Sequence, residues 1–324
     1  NANLSIRQSL KLCRAIGAAP WLIVYPMYTA EENRRLMEYL AAPPDVGYGR
    51  RRAEHGQREP WTEVFDTIHI ECGNETWNKN FNPMAWPNQP EVYAAVVDRQ
   101  FGQLAANPHC DEAKFNFIAN GFTHWHGWPR RVGQHARHAE ALSYTVYFGG
   151  WDGETILGKD DAAFLQNQLL YLPLILQPKL ERAVALHREE LAGRLDMAIY
   201  EGGPGYPMPG PGRPSVEEAE KVGKSMAMGV LSADAYLWSE SQGIVPQGYY
   251  EFKTGVNWSS HSDPVKMIPY PSWLSLQMHN LHCRGDLLVV DADCRTVDIP
   301  EKQATKLTWD GKKKTQTRSE ERRV

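Results

Sequence analysis

The chain has 324 residues, 42% hydrophobic and 23% charged, with a formal net charge of −4. That is ordinary globular composition, enough for one large domain plus a small appendage, and the charge argues against nucleic acid or an anionic membrane as partner. The longest apolar runs fall short of a membrane span. Five Cys, at positions 13, 72, 110, 283 and 294, have no metal-type spacing and an odd count, which reads as mostly buried thiols with no disulfide framework. Eleven Trp and fourteen Tyr are a high load, many of them beside Gly, Pro and Asn. Such rings either floor the apolar faces of sugars or anchor loops to a core. No signal peptide is visible, and the chain opens on Asn rather than Met, so it reads as a fragment or a processed product. Localisation and oligomeric state are not encoded in these features.

Residues 4–16 carry apolar side chains at helical spacing, and Gly17 stops the run. Residues 20–25 read as a short buried strand. Thr29 caps the next helix, with Glu31 and Glu32 in its first turn. Residues 43–60, rich in Gly, Pro and Arg, read as a long loop, and Arg50-Arg51-Arg52 as a solvated part of it. An apolar strand over 65–70 leads to Gly73, Asn74, Glu75 and Trp77. A proline-rich aromatic loop (78–90), a helix (91–104) and a strand (114–119) follow, opening into His124-Trp125-His126. The pattern then predicts a short helix over 135–141, a strand over 142–148 ending near Tyr147, and a long helical region over 161–191 kinked at Pro173 and Pro178.

Residues 196–201 repeat the earlier grammar: an apolar strand, then Glu201, then Gly202-Gly203. Residues 204–214 hold Tyr206 and too many prolines for a central strand or helix. Ser215, with Glu218 at capping-box spacing, starts a helix to about residue 231. Residues 233–239, with Trp238, read as the last strand. Beyond 271 the texture changes, with short β segments over 287–291, 296–299 and 304–309, and 312–324 is charged and low in apolar residues.

Strands alternating with helices imply a parallel (β/α)8 TIM barrel. Six strands are counted, near residues 22, 69, 117, 145, 198 and 236, so the first two of eight are expected upstream. The expected domains are an N-terminally incomplete barrel over 1–270, the start of an accessory β-domain over 271–311, and a disordered tail over 312–324. Catalytic residues of such barrels sit at the C-terminal ends of strands, where Glu75 and Glu201 both fall. The interval between them fits three strand-plus-helix units of roughly 30–45 residues each. The bland alternative is that both are turn or capping residues.

Gly73-Asn74-Glu75 at one strand end and Glu201 three strands later resemble the clan A retaining glycoside hydrolases. Around the first Glu the sequence is most similar to the α-L-arabinofuranosidase branch. The similarity is carried by LKLCRAIGAAPWLIVYP, a Glu-Glu helix ending in MEYL, and YGRRRAEHGQREPW before the Gly-Asn-Glu strand. It covers residues 5–78 and continues more loosely to about 240. Glu201 is followed by Gly-Gly-Pro-Gly-Tyr, where that branch usually has Trp or Tyr next.

The resemblance implies a carbohydrate substrate, no cofactor and a double displacement. Retention needs two carboxyls about 5–5.5 Å apart, one protonated and one ionised. Glu201 is the expected nucleophile and Glu75 the acid and then the base. Asn74 is expected to contact the sugar 2-hydroxyl, Tyr147 to hydrogen-bond the nucleophile, and Trp238 to floor the sugar; Trp77, His124, Trp125, His126 and Tyr206 are further expected substrate contacts. Glu71 is left out, as lying in the opposite register. Two other readings stay open. One is a non-catalytic carbohydrate-binding barrel. The other is a metal-dependent hydrolase on the His124-x-His126 pair, which lacks Asp and Glu partners at ligand spacing.

Overall fold

The computed structural model describes residues 4–148, 176–191, 193–206, 215–283 and 285. Its strands are β1 (Trp21–Val24), β2 (Ile68–Cys72), β3 (Phe115–Asn120), β4 (Ala141–Phe148), β5 (Asp196–Pro204) and β6 (Gln247–Tyr249). They form one sheet in chain order, β1-β2-β3-β4-β5-β6. The registers of β1–β2, β2–β3, β3–β4 and β5–β6 are all parallel. Parallel neighbours require crossovers, and helices supply them. The near-continuous burial of β2, β3 and β4 is that of parallel strands covered on both faces.

The helices are α1 (Ile6–Ile16), α2 (Ala30–Ala41), α3 (Gly47–Glu54), α4 (Trp61–Val64), α5 (Pro90–Ala105), α6 (Gly127–His135), α7 (Gln177–Glu189), α8 (Val216–Gly223), α9 (Met226–Ser241) and α10 (Pro271–His282). Capping boxes start three of them, at Ser5 with Gln8, Thr29 with Glu32, and Ser215 with Glu218. Gly17 ends α1 in the left-handed region, at φ 69°.

The chain divides into two compact units, Asn1–Tyr144 with Ala183–Ala198, and Thr145–Arg182 with Ile199–Val324. In the first, Trp61, Tyr93, Phe101, Phe117 and Trp128 are buried between helices and sheet, and Ile118, Ala141 and Ala198 pack with Trp21. In the second, Phe148, Tyr206, Met228, Leu231 and Tyr236 are among the buried side chains.

Several expectations are corrected. Residues 43–60 are not a plain loop but contain α3 and the start of the approach to α4. Arg52 there is fully buried, and its guanidinium donates to the carbonyls of Tyr39 (3.0 Å), Ala42 (2.6 Å) and Arg58 (3.1 Å). The last carbonyls of a helix have no intrahelical partner, and Arg52 closes the end of α2 from within. The short helix expected over 135–141 lies earlier, as α6. The helix from Ser215 breaks at Lys224, because Ser225 caps a new helix through the Met228 N–H. That helix, α9, absorbs the residues expected as the last strand, Trp238 among them, and β6 takes the sixth place instead. Residues 271–282, expected to open a β-domain, are helix α10. The β segments over 287–309, the tail over 312–324, the first part of the 161–191 helix and residues 207–214 of the proline-rich loop lie outside the described residues.

A buried carbonyl left unpaired costs about 1–3 kcal/mol. Arg52→Met is therefore expected to lower the unfolding free energy by about 2–4 kcal/mol in urea titrations. Arg51→Gln, at an exposed position of the same run, should change it by less than about 0.5 kcal/mol. Equal effects at both positions would contradict the capping role.

Candidate active site

Glu75 belongs to the first unit and sits on the turn that leaves β2. Gly73 turns the chain at φ 77°, where a Cβ would meet Thr76 Cγ2 at 2.6 Å and Pro26 Cγ at 2.7 Å. Glu75 itself is left-handed, at φ 44°. A non-glycine residue in that region costs of order 1–3 kcal/mol and persists only where its surroundings over-determine it.

The surroundings do so through Asn120, the last residue of β3. Its side-chain oxygen accepts from Thr76 N (3.0 Å) and Thr76 Oγ1 (2.8 Å). Its amide donates to Glu71 Oε1 (2.6 Å) and to the Gly73 carbonyl (3.2 Å). Its backbone N–H donates to Tyr93 Oη, which in turn donates to the Cys72 carbonyl. Trp128 Nε1 donates to its backbone carbonyl. Glu71 is fully buried and also accepts from Trp21 Nε1 (2.9 Å) and Ser143 Oγ. Register explains the meeting. Asn120 pairs with Ser143 and Glu71 with Ile118, while Trp21 is two residues before the Glu71 partner Ile23. Period two then sends Trp21, Glu71, Asn120 and Ser143 to one face. Glu71 is thus integral to the site's frame, not turned away from it, because its carboxyl is hydrogen-bonded to the same Asn120 side chain that holds Thr76 on the turn.

On the turn, Glu75 Oε2 accepts from Asn78 Nδ2 at 2.6 Å. Asn74 Oδ1 and Trp77 Nε1 are buried atoms with no hydrogen-bond partner among the described residues. The Trp77 ring stacks on Phe122, centroids 4.0 Å apart and planes 12° apart. His124 is exposed, its ring edge-on to Phe122 at 5.8 Å. Trp125 is 37% exposed and His126 half-buried. Among the described residues, no three His, Cys, Asp or Glu side chains are grouped to hold a metal ion.

Glu201 belongs to the second unit, half-buried within β5. Tyr147, in the same unit on β4, donates its hydroxyl to Glu201 Oε2 at 2.7 Å. The Tyr250 ring meets Tyr147 edge-on at 6.3 Å, and Trp258 meets Tyr250 at the same distance. The β5–β6 register shifts between Ile199 and Gly202, beside Glu201. Gly248 lets the two strands approach there, since a Cβ would lie 2.5 Å from the Tyr200 carbonyl. Two expected contacts are corrected. Trp238 is on helix α9 rather than a strand end. Tyr206 is 1% exposed, with its ring on Trp258 and its hydroxyl against Gly223, so it is a core ring and no open sugar platform. Burial also pushes its hydroxyl pKa well up.

No protein-family model matches the chain, and no curated protein matches it. Solved structures do, and the fold they share with it is a (β/α) barrel, present here in part. One is the α-L-arabinofuranosidase from Thermotoga maritima in complex with arabinose, at TM-score 0.64 and 17% identity, over 85% of this chain and 52% of that one. The GH51 α-L-arabinofuranosidase from Thermotoga petrophila RKU-1 gives TM-score 0.65 and 18% identity, over 84% and 51%. The GH51 arabinofuranosidase from Xanthomonas axonopodis pv. citri gives 0.63 and 18%, over 85% and 54%. The chain spans about half the length of the structures it matches.

The frame under Glu75 is testable without a substrate. Asn120→Asp sets a second carboxyl against Glu71, and neighbouring carboxyls cannot both ionise cheaply. The folded-state pKa of the introduced group is then raised above its unfolded value, near ~3.9. The variant's stability deficit should therefore be small below pH ~4 and grow as pH rises toward neutrality. Urea unfolding between pH 4 and 8 reads it; a deficit independent of pH would place residue 120 away from a charged neighbour.

Proposed function

We propose that the protein is a retaining glycoside hydrolase, with Glu75 as acid and base and Glu201 as nucleophile. The observation that carries this reading is a pair of glutamates on the sheet's strands and turns, Glu201 within β5 and Glu75 just past β2. Glu201 accepts the Tyr147 hydroxyl in one unit, and Glu75 stands on a strained, buried-network turn in the other. The likeness of fold to α-L-arabinofuranosidases supports it.

In the first step a Glu201 oxygen bonds to the anomeric carbon while the bond from that carbon to the leaving oxygen breaks. Glu75 gives its proton to that oxygen. In the second step Glu75 takes a proton from water, the water oxygen bonds to the anomeric carbon, and the glycosyl ester breaks to restore Glu201. Esterification removes the Glu201 charge, which lowers the proton affinity of Glu75 and suits it to act as base. Tyr147 holds the nucleophile's charge before attack by donating to it. The buried, unpartnered Asn74 Oδ1 is an acceptor for a sugar hydroxyl, and the Trp77–Phe122 stack offers a flat apolar wall. The arabinofuranoside is the substrate we favour.

Glu201→Ala is expected to lose at least ~10³-fold in turnover of aryl glycosides. Glu75→Ala should lose as much on substrates with poor leaving groups, much less on activated aryl glycosides, and regain turnover with added azide. Both variants should unfold as the parent does. Turnover unchanged in both variants would put the chemistry on other residues and end the proposal; no turnover by the parent would leave a carbohydrate-binding barrel.

A further inference from the structure

A second recess lies in the first unit, away from the residues of the Glu75 turn. It is a cleft of about 610 Å³ between the start of α1, α2 and α3, a size ordinary for a small-molecule site. Its walls are the rings of Tyr28, Tyr39 and Tyr48 with the apolar Ile6 and Leu36. Its charge is positive. Arg7, Arg35 and Arg51 line it against the single carboxylate of Glu32, and that carboxylate is engaged by Thr29 N and Oγ1 at 2.8 Å each.

Arg35 is held by Glu31 and lies over the Tyr48 ring at 5.4 Å. Among the described residues, Arg7 and Arg51 make no ion pair. The N-terminus of α1 adds to the field. No acidic residue stands in its first turn, and the leading N–H groups of a helix have no intrahelical acceptor.

Two buried polar atoms are left over in the same place. Tyr39 is 7% exposed, and its hydroxyl has no hydrogen-bond partner among the described residues. Its neighbour His55, with ring centroids 6.3 Å apart, has a buried Nδ1 in the same condition. Buried polar groups are normally satisfied, so two orphans on one cleft wall point to a missing partner that carries acceptors. Burial raises the pKa of the Tyr39 hydroxyl, and the charges of Arg7, Arg52 and Arg51 oppose that rise, which places those cations within electrostatic reach of it.

We propose that this cleft binds a carboxylate-bearing sugar, a uronic-acid unit of a polysaccharide, with its carboxylate on Arg7 and Arg51 and its ring among the tyrosines. Arg is the side chain suited to a planar carboxylate, through paired N–H donors. Tyr rings cover the apolar face of a pyranose while their hydroxyls reach its oxygens. The sugar class leans on the proposed glycosidase reading; the anion class does not. The cleft shares no lining residue with the turn that carries Glu75, so it would hold the polymer without taking part in cleavage.

The test is binding of methyl glucuronide, methyl glucoside and inorganic phosphate to the intact chain, by calorimetry or ligand-observed NMR. The glucuronide should bind, the glucoside at least 10-fold more weakly, and salt should weaken the glucuronide. Arg51→Gln and Tyr39→Phe should each weaken glucuronide binding at least 5-fold. Both should leave the unfolding midpoint and the turnover of a neutral aryl glycoside unchanged. Equal binding of glucoside and glucuronide, phosphate binding without glucuronide, or glucuronide binding indifferent to both variants would overturn the proposal. The readout is affinity, so loss of the glycosidase reading through Glu75 and Glu201 would show separately, in turnover.

Discussion

The Asn120 side-chain amide is bonded on one side to the buried carboxylate of Glu71 and on the other to the turn that carries Glu75. Everything distinctive about the first unit's site follows from that bridge. Glu71 cannot be buried cheaply as a lone carboxylate; donors from Trp21, Asn120 and Ser143, on three other strands, make it tolerable. Once those donors are committed, Asn120 has one orientation, and its oxygen can accept only from Thr76. The turn is thereby held in a conformation that Glu75 would not adopt alone.

Such a network is worth having only if complete. A half-satisfied buried polar cluster is worse than an apolar core, because the low dielectric that strengthens each bond also magnifies each omission. Around Asn120 its side-chain donors and acceptor and both backbone groups are used. Among the described residues, Asn74 Oδ1 and Trp77 Nε1 on the adjoining turn are buried without a partner, and a ligand can supply one. In the second unit the arrangement centres on Glu201. The Tyr147 hydroxyl donates to Glu201, and the Tyr147 ring is met edge-on by Tyr250, which in turn meets Trp258.

Much of this was legible in the chain. Capping signals at Ser5, Thr29 and Ser215 name three helix starts, because each is a local exchange between a side chain and the next turn's N–H groups. The strands ending near Val24, Cys72, Asn120, Phe148 and Glu201 announce themselves by apolar runs bounded by turn residues. Where the pattern misled, a longer-range effect decided. The stretch 233–239 alternates well enough for a strand, but Ala227, Met228, Leu231, Ser232, Ala235, Tyr236 and Ser239 bury one helical stripe visible only over the longer window. Arg52 looks solvated beside Arg50 and Arg51, yet its burial depends on carbonyls at the end of α2, ten and more residues away. Glu71, Asn120 and Ser143 could be recognised as a set only once the strand registers brought them to one face. Trp258 comes near Tyr250 through chain geometry that no spacing records.

The most direct measurement of the central claim is trapping the glycosyl ester. A 2-deoxy-2-fluoro arabinofuranoside with an activated leaving group slows hydrolysis of a covalent intermediate more than its formation, so the intermediate accumulates. The account predicts one sugar per chain by intact mass, with the label on Glu201 after peptide mapping and turnover lost in step with labelling. A label on another residue, or inactivation without any covalent adduct, would contradict it.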